Sequence, residues 1–263
     1  MKNFFALGAL CTTTLLMTSC LDSSGNNETT GTTPGVVEFN AKLSKNVVYY
    51  NDYEFLYTDK VANDPSIERG TCIFLGYKLN YDAPENVDAV KKGYYTALAT
   101  NIAPLNNYES TPHLTDTATL LPNEIAISNL DNSEPNNAWA LIRSNLFINT
   151  YHKDVLTGMK STFNMSYDAA ADPVQTTGKR IYNLYLRMQV TDKGKSPMQS
   201  IISVSTYNID YFMQELVQRE RAEGYSEVYF SINYINHIDE KTKKLSWYTT
   251  EPYTYKIPKE GER

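Results

Sequence analysis

Histidine and cysteine are scarce in this chain, with three of each among 263 residues. Cys11 and Cys20 lie in or at the end of an N-terminal apolar segment, so Cys72 alone remains for the body and an internal disulfide is excluded. Neither H-E-x-x-H nor a paired C-x-x-C is present, which removes the common zinc patterns. A G-x-S-x-G elbow and a glycine-rich phosphate loop are missing as well. Lys and Arg never gather into a stripe, and the net charge is -6, so nucleic acid is not an expected partner. Beyond the N-terminal segment no apolar run approaches the roughly 18 residues of a membrane span. These absences lead us to expect no catalytic, cofactor-binding or metal-binding residues.

The N-terminus carries the strongest positive signal. Lys2 supplies a charge, Phe4 to Met17 is an apolar run diluted by Thr12, Thr13 and Thr14, and small Thr18 and Ser19 precede Cys20. Charge, apolar run and small residues in that order make a secretory signal. Leu16-Met17-Thr18-Ser19-Cys20 resembles a bacterial lipobox, in which small side chains admit the peptidase and the thiol receives diacylglycerol. We therefore expect a signal peptide over residues 1–19 and lipidation at Cys20, with the membrane as a partner through that lipid and the outer membrane as the location.

Residues 20–35 follow as a polar stretch rich in Gly, Ser, Thr and Asn, with no periodicity. Such a composition is expected to form a flexible tether spanning on the order of 20 Å. The body beyond it is rich in tyrosine, 21 against 9 phenylalanines, and Tyr favours strands that face both core and water. Strand-like runs stand at Val36–Phe39, Val47–Tyr57, Thr71–Tyr81 and Tyr94–Ile102. Residues 106–137, dense in Asn, Ser, Thr, Pro and Asp, read as a connector between a β domain over 36–105 and a second over 138–263.

The second region shows period-two patterning. Phe163, Met165 and Tyr167 alternate with Thr162, Asn164 and Ser166. Leu184, Leu186 and Met188 alternate with Asn183, Tyr185 and Arg187, and Phe230, Ile232 and Tyr234 repeat the theme. Period two predicts strands with one wet face, as in an antiparallel sheet, with Asn183 and Arg187 on the surface. Pro252 interrupts Leu245–Ile257 and predicts an edge or a bulge there. Ile209, Phe212, Met213, Leu216 and Val217 follow helical spacing, with Asn208 placed to cap the start and Gly224 the end. The fold class expected is mainly β, with one short amphipathic helix covering an end of the sheet.

Candidate sites are few. His113, His152 and His237 fall in expected loops or strand ends, and His152-Lys153-Asp154 and His237-Ile238-Asp239-Glu240 read as polar turns. Cys72 lies in the apolar run Cys72-Ile73-Phe74-Leu75 and reads as a buried small hydrophobe. Tyr185, Tyr229, Trp247, Tyr248, Tyr253 and Tyr255 lie on strands, where they either pack across the sheet or form a platform for sugar rings. A hydrolase would need two facing carboxylates, and none of the 30 Asp and Glu residues is marked for it. Asp116-Thr117-Ala118 resembles a short O-glycosylation motif of secreted Bacteroidota proteins, which makes Thr117 a candidate acceptor.

The order of leader, polar tether, small β region, connector and β-sandwich resembles the NigD-like lipoproteins of gut Bacteroidota. Arg69-Gly70-Thr71-Cys72-Ile73-Phe74-Leu75-Gly76-Tyr77 with Gly93-Tyr94-Tyr95-Thr96-Ala97-Leu98 is similar to late strands of that family's N-terminal OB-like domain. Asn145-Leu146-Phe147-Ile148-Asn149, Phe163-Asn164-Met165-Ser166-Tyr167-Asp168 and Leu184-Tyr185-Leu186-Arg187 resemble its C-terminal immunoglobulin-like domain. The resemblance implies a non-enzymatic envelope lipoprotein acting by binding or by structure. A protein or a glycan would be its partner, the latter as part of a polysaccharide-uptake system.

Overall fold

The computed structural model describes residues 27–114, 116–130, 139–176 and 178–259. The leader, Cys20 and the first part of the expected tether lie outside these residues. Among them, no helix is long and apolar enough to cross a membrane.

The first half is a small barrel. Its elements are β1 (Glu28–Asn40), β2 (Lys45–Tyr49), β3 (Phe55–Tyr57), α1 (Asp59–Ala62), β4 (Cys72–Asn80), α2 (Ala89–Lys92), β5 (Tyr95–Thr96) and β6 (Leu98–Pro104). β1 pairs with β4 through its first nine residues and with β2 from Val36 onward, so one strand serves two neighbours. β5 runs parallel to β3, and β6 runs antiparallel to β4. Only Ala97 separates β5 from β6, and its N–H donates to Tyr57 O at 2.9 Å. A single kinked strand therefore closes the circle between β3 and β4. Counting it as the fifth, the order around the barrel is 1-2-3-5-4-1, with α1 between the third and fourth strands, which is an OB fold. Val37, Val48, Leu56, Ile73, Leu75 and Tyr77 fill the interior.

β1 begins at Glu28, inside the stretch whose composition suggested a tether. The reason is tertiary. β4 is long, and Glu28–Gly35 supply the backbone partners for Asn80–Ile73. Four of those residues, Thr29, Thr30, Thr32 and Thr33, are threonines, which suit a pleated strand. Gly35 permits the close curl of the strand, since a Cβ there would stand 2.4 Å from Val48 Cγ1. With β1 extended backwards, the barrel has its full set of strands.

The second half contains β7 (Asn107–Thr111), β8 (Asn129–Leu130), β9 (Trp139–Ile142), β10 (Asn145–Thr157), β11 (Lys160–Ser166), β12 (Val174–Thr176), β13 (Lys179–Asp192) and β14 (Lys195–Asn208). After these come α3 (Asp210–Ala222), β15 (Glu227–Ile238), β16 (Leu245–Thr249) and β17 (Tyr253–Lys256). The strands run β16-β15-β13-β11-β7-β14-β10-β8. The path folds over at β7, so β10 and β14 face β11, β13 and β15 as two layers of a sandwich. Between the layers lie Leu146, Ile148, Met165, Leu184, Leu186, Phe230 and Ile232. α3 seals one end with Phe212, Met213, Leu216 and Val217, at the spacing expected. Asn208 Oδ1 accepts from Asp210 N at 3.0 Å, and Gly224 takes φ +81 just past the helix. The fold class is thus the expected one: mainly β, a barrel followed by a sandwich with one amphipathic helix.

Several particulars differ from the sequence reading. The sheet is mixed: β13 pairs parallel with β15, and β7 pairs parallel with both β11 and β14. The segment read as a connector supplies β7 and β8 and adds an isolated bridge between Glu124 and Gln189. That segment lies over the outer side of β13, so Arg187 is buried instead of facing water, at 1% exposure. His152 is not in a loop. It lies on β10 and is 1% exposed, while the adjacent register shift and Asp154 at φ 53 form a bulge instead of a hairpin turn. Pro252 divides the last strand into β16 and β17, both paired with β15, in keeping with the expected edge or bulge.

Candidate functional site

An apolar seam holds the barrel against the sandwich. Val36 of β1 and Cys72 of β4 pack with Ile142 of β9 and Phe147 of β10, flanked by Tyr49, Leu105 and Ala140. Beside the seam the β9–β10 turn reaches into the barrel. Arg143 and Ser144 take φ 51 and 61, the two positive values of a tight hairpin turn. Arg143 N donates to Asp52 Oδ1 at 2.8 Å and its Nη1 to Asp52 O at 3.2 Å. The guanidinium lies 4.5 Å from the centre of the Tyr49 ring. Backbone, charge and ring together fix the relative placement of the two halves.

A cleft of about 980 Å³ opens beside this clamp. Glu38, Asp52, Tyr53 and Arg69 line its barrel side, and Asn145, Asn208 and Arg221 are among the residues lining its sandwich side. Arg69 Nε meets Glu38 Oε2 at 2.9 Å, and Arg221 Nη2 donates to Pro258 O at 2.6 Å. Asn107 Nδ2 donates to Asn145 Oδ1 at 3.0 Å, and Asn208 Nδ2 to Glu109 Oε1 at 3.2 Å. The lining carries both signs of charge, many amides and the exposed ring of Tyr53. Such a surface suits an extended polar partner more than a small apolar ligand.

A smaller cavity of about 210 Å³ lies beneath α3. Phe212, Leu216, Tyr167 and Tyr182 give it an apolar floor, and Asp168, Glu215 and Tyr185 stand in its walls.

The residues singled out from the sequence are dispersed. Cys20 lies outside the described residues. Thr117 is half-buried, in a loop that is anchored and not free: Arg187 donates to Asp116 O at 2.5 Å and to Thr119 O at 2.6 Å, and Trp247 Nε1 donates to Thr117 O at 3.0 Å. Cys72 is 1% exposed, and burial pushes its thiol up to about 11. His113 and His237 are exposed, far from His152 in burial, and the three form no cluster. Among the described residues no group of His, Cys, Asp and Glu is placed to hold a metal ion. Among the candidate platform rings, Tyr185 and Trp247 are not coplanar. Tyr185 and Trp247 meet at 80°, and Tyr248 is tilted 48° against Tyr234.

Sequence reasoning missed Arg143, which carries the domain clamp, and the buried pair Arg187–Glu124. Two adjacent polar residues before Asn145, in the place of a hairpin turn, were the only available sign of the first. Nothing local marked the second, whose partners are 63 positions apart.

A closed OB barrel packed on a β-sandwich defines the class: a two-domain, all-but-β protein with a cleft at the junction. Residues 25–103, which span the barrel, match the family model for the lipoprotein OB domain. A protein of Parabacteroides merdae with uncharacterised function has the same overall fold. It is 24% identical, with a TM-score of 0.76 over 87% of this chain and 99% of that one. A candidate lipoprotein of Bacteroides fragilis is 12% identical, with a TM-score of 0.51 over 86% of this chain and 98% of its own. A NigD-like immunity protein of Bacteroides caccae is 12% identical, with a TM-score of 0.44 over 82% of this chain and 89% of its own. No match to this chain was found among the curated proteins.

Proposed function

We infer that the chain is an envelope lipoprotein, held to the outer membrane by lipid on Cys20, which works by binding a partner and not by catalysis. The observation that carries this reading is the match of residues 25–103 to the lipoprotein OB domain, directly downstream of the lipobox-like segment. The physical case for the anchor is additive. Each acyl CH₂ buried in the bilayer contributes about 0.8 kcal/mol, and two or three chains hold where one holds only marginally. The cleft at the domain junction supports the binding part of the reading, because a firmly clamped pair of domains presents a pre-shaped polar surface. The partner that fits is a polar segment of another envelope protein.

Two measurements test this. Cells making the parent chain and Cys20→Ala are fractionated: the parent should stay with membranes and the variant should be released, and equal membrane association of both would remove the anchor. For the partner, a photo-crosslinking side chain is placed at Tyr53 in the cleft and, as a control, at exposed Val90 on α2. A specific adduct from position 53 and none from position 90 is expected. Equal yields at the two positions would show that the cleft is not the binding surface.

A further inference from the structure

The smaller cavity under α3 is distinct from the cleft and has a chemistry of its own. Tyr167 is 2% exposed and its ring meets Phe212 edge-on at 4.9 Å. Its hydroxyl forms no hydrogen bond among the described residues, and it is not one of the sealed polar atoms of the core, so it opens on the cavity it lines. Tyr182 differs, since its hydroxyl donates to Glu220 Oε1 at 2.6 Å. The floor thus offers three aromatic rings, one leucine and one unpaired phenol oxygen.

The walls are acidic. Asp168, Asp172 and Glu215 line the cavity, and among the described residues no Lys or Arg lies within ion-pair distance of any of them. Arg219, the cation present, turns its guanidinium to backbone: Nη1 donates to Ala171 O at 3.3 Å and Nη2 donates to Ala169 O. Two of its five N–H donors are thereby engaged by carbonyls. The carboxylates already act on the floor and rim. After burial, the charge of Glu215 raises the Tyr167 phenol, and that of Asp168 raises Tyr185.

We propose that this cavity binds a small organic cation, a protonated primary amine on a compact apolar body. Aromatic faces attract a cation electrostatically, and carboxylates that have no cationic partner among the described residues strengthen that preference. An ammonium group has three donors and no acceptor, which matches a site that offers carboxylate and phenol oxygens. The apolar floor of Phe212 and Leu216 sets the rest of the ligand. A bare metal ion would leave that floor unused, and an anion would face three carboxylates with the one guanidinium turned away.

The test is isothermal titration of the full chain in non-ionic detergent with benzylammonium, with benzyl alcohol and phenylacetate as its neutral and anionic counterparts. Benzylammonium should bind at least about tenfold more tightly than benzyl alcohol, with phenylacetate weaker still. Glu215→Gln should weaken benzylammonium by about tenfold and leave the thermal midpoint in place. Asp168→Asn, at an exposed position, should act in the same direction and serves if Glu215→Gln fails to fold. Equal affinity for the alcohol and the ammonium, no binding of any probe, or an affinity unmoved by both substitutions would overturn the proposal.

Discussion

Arg187 and Glu124 meet on the outer side of β13, beneath the 116–124 segment, as a two-pronged ion pair. Nε lies 2.5 Å from Oε1 and Nη2 lies 2.6 Å from Oε2, with side chains 1% and 0% exposed. The same guanidinium holds the carbonyls of Asp116 and Thr119, and it sits 5.8 Å from the Trp247 ring centre. One side chain therefore ties β13, the 116–124 segment and β16 together. Removing it leaves a buried carboxylate with no counter-charge, only Leu121 N still donating to Oε2, and takes the guanidinium donors from two carbonyls. Arg187→Ala should cost roughly 3–5 kcal/mol. The double change Arg187→Met with Glu124→Leu should recover a large part, because no charge is then stranded. Urea melts of the two variants measure this, and a single variant within about 0.5 kcal/mol of the parent would contradict the anchoring role.

Leu186, one position away, tests the opposite face of the same strand. It is fully buried in the sandwich core, where its methyl groups pack between the layers. Leu186→Ala should cost roughly 2–5 kcal/mol, the lost transfer energy plus the cavity left behind. The urea midpoint should fall with an unchanged slope. A loss below about 0.5 kcal/mol would mean that this face is not the packed one.

Arg143 tests the coupling of the two halves. Arg143→Ala keeps the backbone donor to Asp52 but removes the Nη1 bond and the contact with Tyr49. At an exposed site that contact is worth about 0.5–1 kcal/mol, so the global melt should move little. Limited proteolysis near the junction should nevertheless speed up, because a clamp has loosened. An unchanged cleavage rate would place the coupling entirely in the apolar seam.

His152 predicts a pH dependence of stability. Burial pushes its imidazole down to about 4 from an ordinary 6.5. The folded state therefore binds fewer protons than the unfolded state once the pH is below the unfolded value. The sign follows: the contribution is fully present above pH 6.5 and is lost as pH falls from there toward 4. Two to three units correspond to roughly 3 kcal/mol at the low end of that window. Urea melts from pH 7.5 to pH 4.5 should show this slope in the parent and a shallower one in His152→Gln. Parallel slopes would show that other groups dominate acid destabilisation.

Cys72 provides a reporter for the seam. Its thiol is buried between the domains and pushed up to about 11, so the nucleophilic thiolate is scarce at pH 8. Iodoacetamide should leave Cys72 unmodified in the native protein and alkylate it in urea. Rapid native labelling would show that the seam opens easily.

The amino-acid sequence by itself determined the class of the protein and the periodic parts of its core. Alternation in Phe163–Tyr167 and in Leu184–Met188 is enough to choose the buried face, because successive strand side chains point to opposite sides. The helical spacing from Ile209 to Val217, with Asn208 and Gly224 at its ends, located α3 to within a residue or two. Cys72 was legible as a buried hydrophobe from its neighbours alone. Only tertiary structure decided the rest. Glu28–Gly35 form a strand because β4 offers backbone partners that composition does not announce. Arg187 occupies a position of wet alternation, yet it is buried because the segment around Glu124 folds over that face. His152 stands in a polar triplet and is enclosed because a bulge, not a turn, follows it. The cleft and the cavity under α3 draw their linings from residues far apart in the chain. Local propensity acts over a few residues, whereas pairing and burial depend on what the fold brings alongside, and that is where a one-dimensional pattern ceases to determine the site.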